Sequence, residues 1–416
     1  MGTKMGRRTS YMRVGLVAMA AVMVSGLVGC SNFFVPEDNG GGGTGGGGGT
    51  VSGSVYVANL TRSSLNGFGV VPAVAAVPAV PATGTTPAVP AVPATPAALS
   101  SIVGLPTALT FQPISMVVTA NNTFLYVGSV SGISLYAINS NGSLTVPTAN
   151  PRPAGVFAVS MTISPDGQWL IALDGTTQQL DIFQINATTG ALTSINAPAV
   201  YSILTGAWTP SSISISPNGQ LIFAALGTAG DVAFTFNTST GIAVSSANLN
   251  VPTTTTSDLG LAVDSKSAYL YVARSGTQGG VAVYSIGANG SLVAVKGSPF
   301  AAGSGTADVL LDSTGTYVYA ANKTDGTISG FTIVPSTTAA GLTLTPLSGS
   351  PYASGIGVQS LGLDSTGKYL LAAALGGSPD LSMYSFDATT PGKLDAATSV
   401  ATDADPAGAT AIALTH

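Results

Sequence analysis

From Val51 onward, short apolar runs alternate with polar turns rich in Ser, Asp, Asn and Gly, a pattern that predicts strands rather than amphipathic helices. The runs repeat. Met116-Val117-Val118, Met161-Thr162-Ile163, Ile213-Ser214-Ile215, Leu261-Ala262-Val263, Val309-Leu310-Leu311 and Leu361-Gly362-Leu363 each end one strand, and each is followed by a polar turn. Four of the turns read Ser164-Pro165-Asp166-Gly167, Ser216-Pro217-Asn218-Gly219, Asp312-Ser313-Thr314-Gly315 and Asp364-Ser365-Thr366-Gly367. Their Ser or Asp can cap the turn, and Gly supplies the positive φ. A second strand then opens on Phe124, Trp169, Leu221, Tyr269, Tyr317 or Tyr369, followed by an aliphatic residue. Third strands such as Val281–Ile286 and Ile328–Ile333 come next, and turns such as Asn141-Gly142-Ser143-Leu144 and Asn289-Gly290-Ser291-Leu292 lead to a fourth.

Measured from Val55 through Leu125, Leu170, Ile222, Leu270, Val318 and Leu370, successive second strands are 70, 45, 52, 48, 48 and 52 residues apart. Four short strands per unit of this length predict an all-β, seven-bladed β-propeller, because one blade alone cannot bury both of its faces. The first copy has no inner strand ahead of it. Ala411-Ile412-Ala413-Leu414-Thr415 matches the missing strand, so the ring is predicted to close by pairing the N- and C-terminal strands within one blade. The long first interval holds a Pro/Ala-rich insertion over 71–98, predicted as a projecting or mobile polyproline-type loop, read first as a bland low-complexity insertion and only second as a docking strip for a partner.

Ahead of the repeat lies an address. Residues 1–29 carry Lys4, Arg7, Arg8 and Arg13, then an apolar stretch from Val14 to Gly26 that is too short to span a bilayer and suits an export signal. It ends at Leu27-Val28-Gly29-Cys30, which resembles the lipobox of bacterial lipoproteins, so Cys30 is the expected lipidation site. Residues 30–50 then form a Gly-rich tether, and 51–416 the propeller. Ser31 after the cysteine favours the outer membrane of a bacterial envelope. As Cys30 is the only cysteine, no disulfide can form within the chain.

Only 7% of residues are charged, and Glu occurs once, as Glu37. Without the four cations of the export signal, 8 cations face 17 anions, which argues against nucleic acid or anionic lipid as a partner of the domain. The expected partners are the membrane, through the lipid, and a protein or glycan on a propeller face. A monomer is expected.

The blade phrases Tyr56-Val57-Ala58-Asn59, Tyr271-Val272-Ala273-Arg274 and Tyr319-Ala320-Ala321-Asn322 resemble those of YVTN and lactonase-type propellers, as do Gly297-Ser298-Pro299-Phe300-Ala301 and Gly349-Ser350-Pro351-Tyr352-Ala353. The resemblance covers roughly 51–416. It implies the propeller fold and, for the named activity of the family, hydrolysis of 6-phosphogluconolactone. No catalytic motif carries over. Lactone hydrolysis needs a base and an oxyanion-stabilising group, and a phosphorylated substrate needs further cations. The one histidine, His416, is terminal and expected to fray. Arg62, Arg152 and Arg274 are the arginines of the domain. Arg274 and Arg152 are the candidate catalytic residues, Arg274 foremost because it stands where Asn59 and Asn322 stand in other blades. The Asp-Ser-Thr-Gly turns at Asp312 and Asp364 are read as structural. No cofactor is expected, and no Cys/His zinc spacing or calcium-loop spacing occurs, although Asp174, Asp231, Asp308 and Asp325 have suitable oxygen ligands. Two functions follow: a non-catalytic binding or scaffold protein of the envelope, and a lactone hydrolase.

Overall fold

Each predicted repeat folds into a twisted antiparallel sheet whose inner strand lines a central channel. The computed structural model describes residues 50–81, 83, 89–147, 155–201, 208–249, 255–336, 341–402 and 408–416. Blade 1 is built from Gly53–Asn59, Ser64–Val71 and Ala98–Ser101, with Ala409–Leu414 as its inner strand. Blades 2 to 7 follow in chain order over 115–145, 158–194, 208–249, 256–294, 306–346 and 358–400. The sheets of blades 4 and 5 are joined by a bridge between Gly227 and Asp258. The predicted closure is present: Val55 pairs with Leu414, Tyr56 with Ala413, Val57 with Ile412 and Ala58 with Ala411. Closure gives the Gly53–Asn59 strand a partner on both sides within blade 1.

The second strand of each blade is buried on both sides, because neighbouring blades cover its two faces. Its sequence is therefore continuously apolar, as in Leu170–Leu173 and Ile222–Leu226, all 0% exposed. The core divides into seven clusters, one per blade junction, including one that joins blade 7 to blade 1 through Val55, Val57, Tyr369, Leu371 and Ile412.

The polar turns act as capping devices. Asp312 Oδ1 accepts the N–H groups of Thr316 and Tyr317, Asp364 Oδ1 those of Lys368 and Tyr369, and Asp264 Oδ1 those of Ala268 and Tyr269. Thr119, Ser164 and Ser216 do the same for Phe124, Trp169 and Leu221. Each cap satisfies the first donor of the following strand.

The insertion departs from expectation in one respect. It leaves the body at Val71 and returns at Ala98, but its described residues form a hairpin arm rather than a loose loop. Val74 pairs with Thr95, Val77 with Val92 and Val80 with Val89, each pair exchanging two hydrogen bonds of 2.9 Å. The pairs recur every third residue, the period of a polyproline helix, so the prolines fall where no donor is needed. The arm's valines are about half exposed, from 50% to 54% at Val74, Val77, Val80, Val89 and Val92.

Candidate functional site

Seven inner strands meet at a channel of about 210 Å³. Register places Ala411, Ser115, Ser160, Ser212, Gly260, Asp308 and Ser360 at one level of its wall, each opposite the same position of its second strand. The serines link blades: Ser160 Oγ accepts the N–H of Ile213 at 3.2 Å, and Ser360 Oγ that of Ile412 at 3.3 Å. Asp308 plays the same part with a carboxylate, accepting the N–H of Leu361 at 2.8 Å and of Val309 at 2.9 Å. Gly260 makes the room, since a Cβ there would lie 2.7 Å from Asp308 Cα and 2.8 Å from its Oδ1. Although part of its surface opens to the channel, Asp308 is walled in. Desolvation pushes its carboxyl up to about 6 in spite of the two backbone donors.

A second departure from the repeat lies between blades 4 and 5. Arg274 Nε and Nη2 bind the two oxygens of Asp258, both at 2.6 Å, and Nη2 also donates to Tyr284 Oη at 2.9 Å. Asp258 is fully buried and the Arg274 side chain is 12% exposed. Asp258 stands where blades 1, 3, 6 and 7 carry Ala409, Ala158, Thr306 and Val358, all buried and none charged.

Beside this pair sits Asp231, at the start of the third strand of blade 4. It lies opposite Ala225, the position at which the other six blades place Leu65, Ile133, Leu180, Val281, Ile328 and Leu381. Those six side chains are aliphatic and at most 1% exposed. Asp231 is equally buried, and neither of its carboxyl oxygens receives a hydrogen bond from a donor group. Burial first, and then the Asp258 carboxylate beside it, raise its pKa well above the usual carboxylate range; Arg274 offsets this only in part. Burial beside Asp258 therefore favours the protonated form of Asp231, which limits the negative charge held in the cluster. Arg274 in turn is held cationic: burial opposes its charge, but the bonds to Asp258 outweigh that cost.

A third feature opens at the edge of blade 1. A groove of about 610 Å³ is bordered by Ser52, Ser54, Ser101, Ile102, Asn139 and Asn141, among others, and none of its lining residues is charged.

The sequence-predicted residues fall as follows. Arg274 is brought into an acid cluster, while Arg152 and Cys30 lie outside the described residues. Arg62 is exposed. His416 is not frayed: its N–H donates to Asn122 Oδ1 and its carbonyl accepts from Asn122 Nδ2, both at 2.8 Å, which ties the terminus to blade 2. The four aspartates weighed as calcium ligands belong to different blades or loops. Asp174 caps Thr176 and Thr177, and Asp325 accepts from the Ser304 N–H. Among the described residues no group of three or more His, Cys, Asp or Glu converges as a metal site. Asp231, Asp258 and Asp308 acquire meaning only through strand register, which compares them with the residues other blades hold at the same place.

The model of the family described as lactonase, seven-bladed beta-propeller, matches residues 88–206 and 253–408. The unmatched stretch between them contains blade 4 and Asp231. Among solved structures, a putative 6-phosphogluconolactonase from Bacteroides uniformis is 17% identical, with a TM-score of 0.68 over 88% of this chain and 100% of that one. A second, from Bacteroides fragilis, is 16% identical, with a TM-score of 0.64 over 88% and 98%. The periplasmic gluconolactonase of Pseudomonas aeruginosa is 14% identical, with a TM-score of 0.61 over 88% and 99%. At these identities the likeness is one of fold. No curated protein sequence matches the chain.

Proposed function

This chain belongs to the lactonase seven-bladed β-propeller family, and within it we propose a lipid-anchored binding protein of the bacterial cell envelope rather than a hydrolase. One observation carries the reading. The groups a hydrolase would use are spent on one another: Arg274, 12% exposed, is locked on the fully buried Asp258, and the buried Asp231 beside them is held towards its protonated, non-basic form. The groove that is open carries no charge. A propeller that binds without turnover needs a shaped, accessible surface and no activated base. The export signal and lipobox at Cys30 support the location. The Cys30→Ser variant is expected to move from the membrane fraction to the soluble extracytoplasmic fraction; retention in the membrane contradicts the anchor.

Lactone hydrolysis is the second reading, and Asp308 favours it. A carboxyl with a pKa of about 6 on a channel wall has the proton affinity of a general base near neutrality. What it lacks, among the described residues that line the channel, is a cation for the oxyanion. Ring opening of gluconolactone and 6-phosphogluconolactone by the intact chain is expected to match the spontaneous rate. Saturable turnover that is lost in Asp308→Asn establishes the hydrolase instead.

A further inference from the structure

The arm of blade 1 carries the blade's own hairpin outward without a break in register. Within the blade Phe68 pairs with Ser101 and Val71 with Ala98, and beyond it the same alignment brings Val74 to Thr95, Val77 to Val92 and Val80 to Val89. Only the interval changes, to every third residue. At the rise of about 3.1 Å per residue of a polyproline helix, the stretch from Val71 to Val80 spans about 28 Å. All of its residues from Ala73 to Pro81, and those from Val89 to Pro96 on the returning strand, are exposed.

A period of three gives each strand three edges, and the sequence fills each edge with a different residue. The first edge, Val or Thr, is spent on the hairpin. The position after each pairing residue is proline at Pro78, Pro81, Pro90, Pro93 and Pro96, with Ala75 the exception, so this second edge has almost no N–H to offer. The position before is alanine in every triplet. At the root, this third edge is already in use, because the Ala73 N–H donates to Tyr369 Oη of blade 7 at 2.9 Å. Further out, among the described residues, the N–H groups of Ala76, Ala79, Ala91 and Ala94 have no acceptor. A row of open donors flanked only by methyl groups is a template for another extended chain.

We infer that the arm is a self-association element, whose open alanine edge pairs antiparallel with the same edge on a second copy of this chain. The arm itself demonstrates the pairing: its two Val-Pro-Ala runs are bonded to each other, each pair exchanging two hydrogen bonds of 2.9 Å. Across a two-fold axis Ala76 of one copy meets Ala79 of the other, or Ala91 meets Ala94, as Val77 meets Val92 within the hairpin. Charge selects this place for contact between copies. The domain is acidic, but the sequence has no Asp, Glu, Lys or Arg between Arg62 and Arg152. Arms that meet along about 28 Å also hold the acidic bodies apart by more than the Debye length of about 8 Å. Edges this narrow bury less than the roughly 1,200 Å² of a stable solution complex, so the pairing is weak and reversible, and dilute copies are monomers.

The test removes donors without disturbing the hairpin. Sedimentation equilibrium of the chain carrying Cys30→Ser, which takes any lipid out of the measurement, follows monomer and dimer up to about 1 mM protein. A reversible dimer is expected to form. Proline at all four open positions (Ala76→Pro, Ala79→Pro, Ala91→Pro, Ala94→Pro) keeps the polyproline φ and leaves the Val and Thr donors in place. This variant is expected to keep its melting temperature and to dimerise more weakly by about tenfold or more. Ala75→Pro, which only completes the edge already blocked, is expected to dimerise like its parent. The proposal is overturned if the parent stays monomeric at about 1 mM, which gives the arm to a foreign partner. It is equally overturned if association survives unchanged in the folded four-proline variant, which places the contact elsewhere on the propeller. Neither result bears on whether the propeller binds or hydrolyses its ligand.

Discussion

At Asp231 a carboxyl occupies a core position that six other blades give to Leu, Ile or Val. A buried polar group whose oxygens receive no hydrogen bond costs about 1–3 kcal/mol, which an aliphatic side chain at the same place does not incur. Asp231→Leu is therefore expected to raise the melting temperature at pH 7, measured by calorimetry, with Asp258 and Arg274 still paired. Arg274→Ala does the opposite. It leaves the fully buried Asp258 carboxyl without its partner, for an expected loss of about 3–5 kcal/mol in denaturant unfolding. Asp308 adds a pH dependence of defined sign. Its carboxyl titrates near 3.8 in the unfolded chain and at about 6 when folded, so the fold favours the protonated form. Its contribution is thus lost as pH rises from about 4 to about 6 and is constant above, a change of about 3 kcal/mol at most. Asp181, also lifted to about 6 by desolvation and by the nearby Asp174 charge, acts in the same direction. Asp308→Asn keeps an acceptor for Leu361 and should shrink the fall in stability between pH 4 and pH 6; an unchanged slope contradicts the assignment.

The inner strand 409–414 is the element on which the ring depends. It fills the inner position of blade 1 and covers parts of two junction cores, through Ala409 and Ala413 among others. Deletion of Ala411–His416 exposes the edge of Gly53–Asn59 and should lower thermal stability far more than trimming an ordinary tail; an unchanged melting temperature contradicts closure. The elements were legible in the sequence to different degrees, for physical reasons. Second strands stand out because one aromatic or aliphatic opening and one capped turn recur together, as at Asp312 and Tyr317. Closure could be read because the final strand has no partner of its own. The arm could not: its prolines argue against a ladder, and only the threefold spacing of Val74, Val77 and Val80 lets donors and acceptors meet between them. Arg274 was visible as a break in a phrase aligned by sequence. Asp231 was not, because it departs from the repeat at a position that only strand register defines, across from Ala225.

For the molecule as a whole, repetition supplies the stability and its exceptions supply the chemistry. Seven junction cores hold a ring that needs few charges. The exceptions differ in access: the cluster at Arg274 is largely buried, Asp308 faces a narrow channel, and the groove at the edge of blade 1 is open and lined by uncharged residues. Register sets the start of the Gly53–Asn59 strand, the root of the arm and the end of the inner strand at one edge of blade 1. The central claim is that this member of a lactonase family binds its ligand without transforming it. The most direct test titrates neutral saccharides and their lactones into the intact chain, while reading the heat of binding and the ring-opened product together. The account predicts saturable heat with a saccharide and no product above the spontaneous rate; saturable product formation that disappears in Asp308→Asn would contradict it.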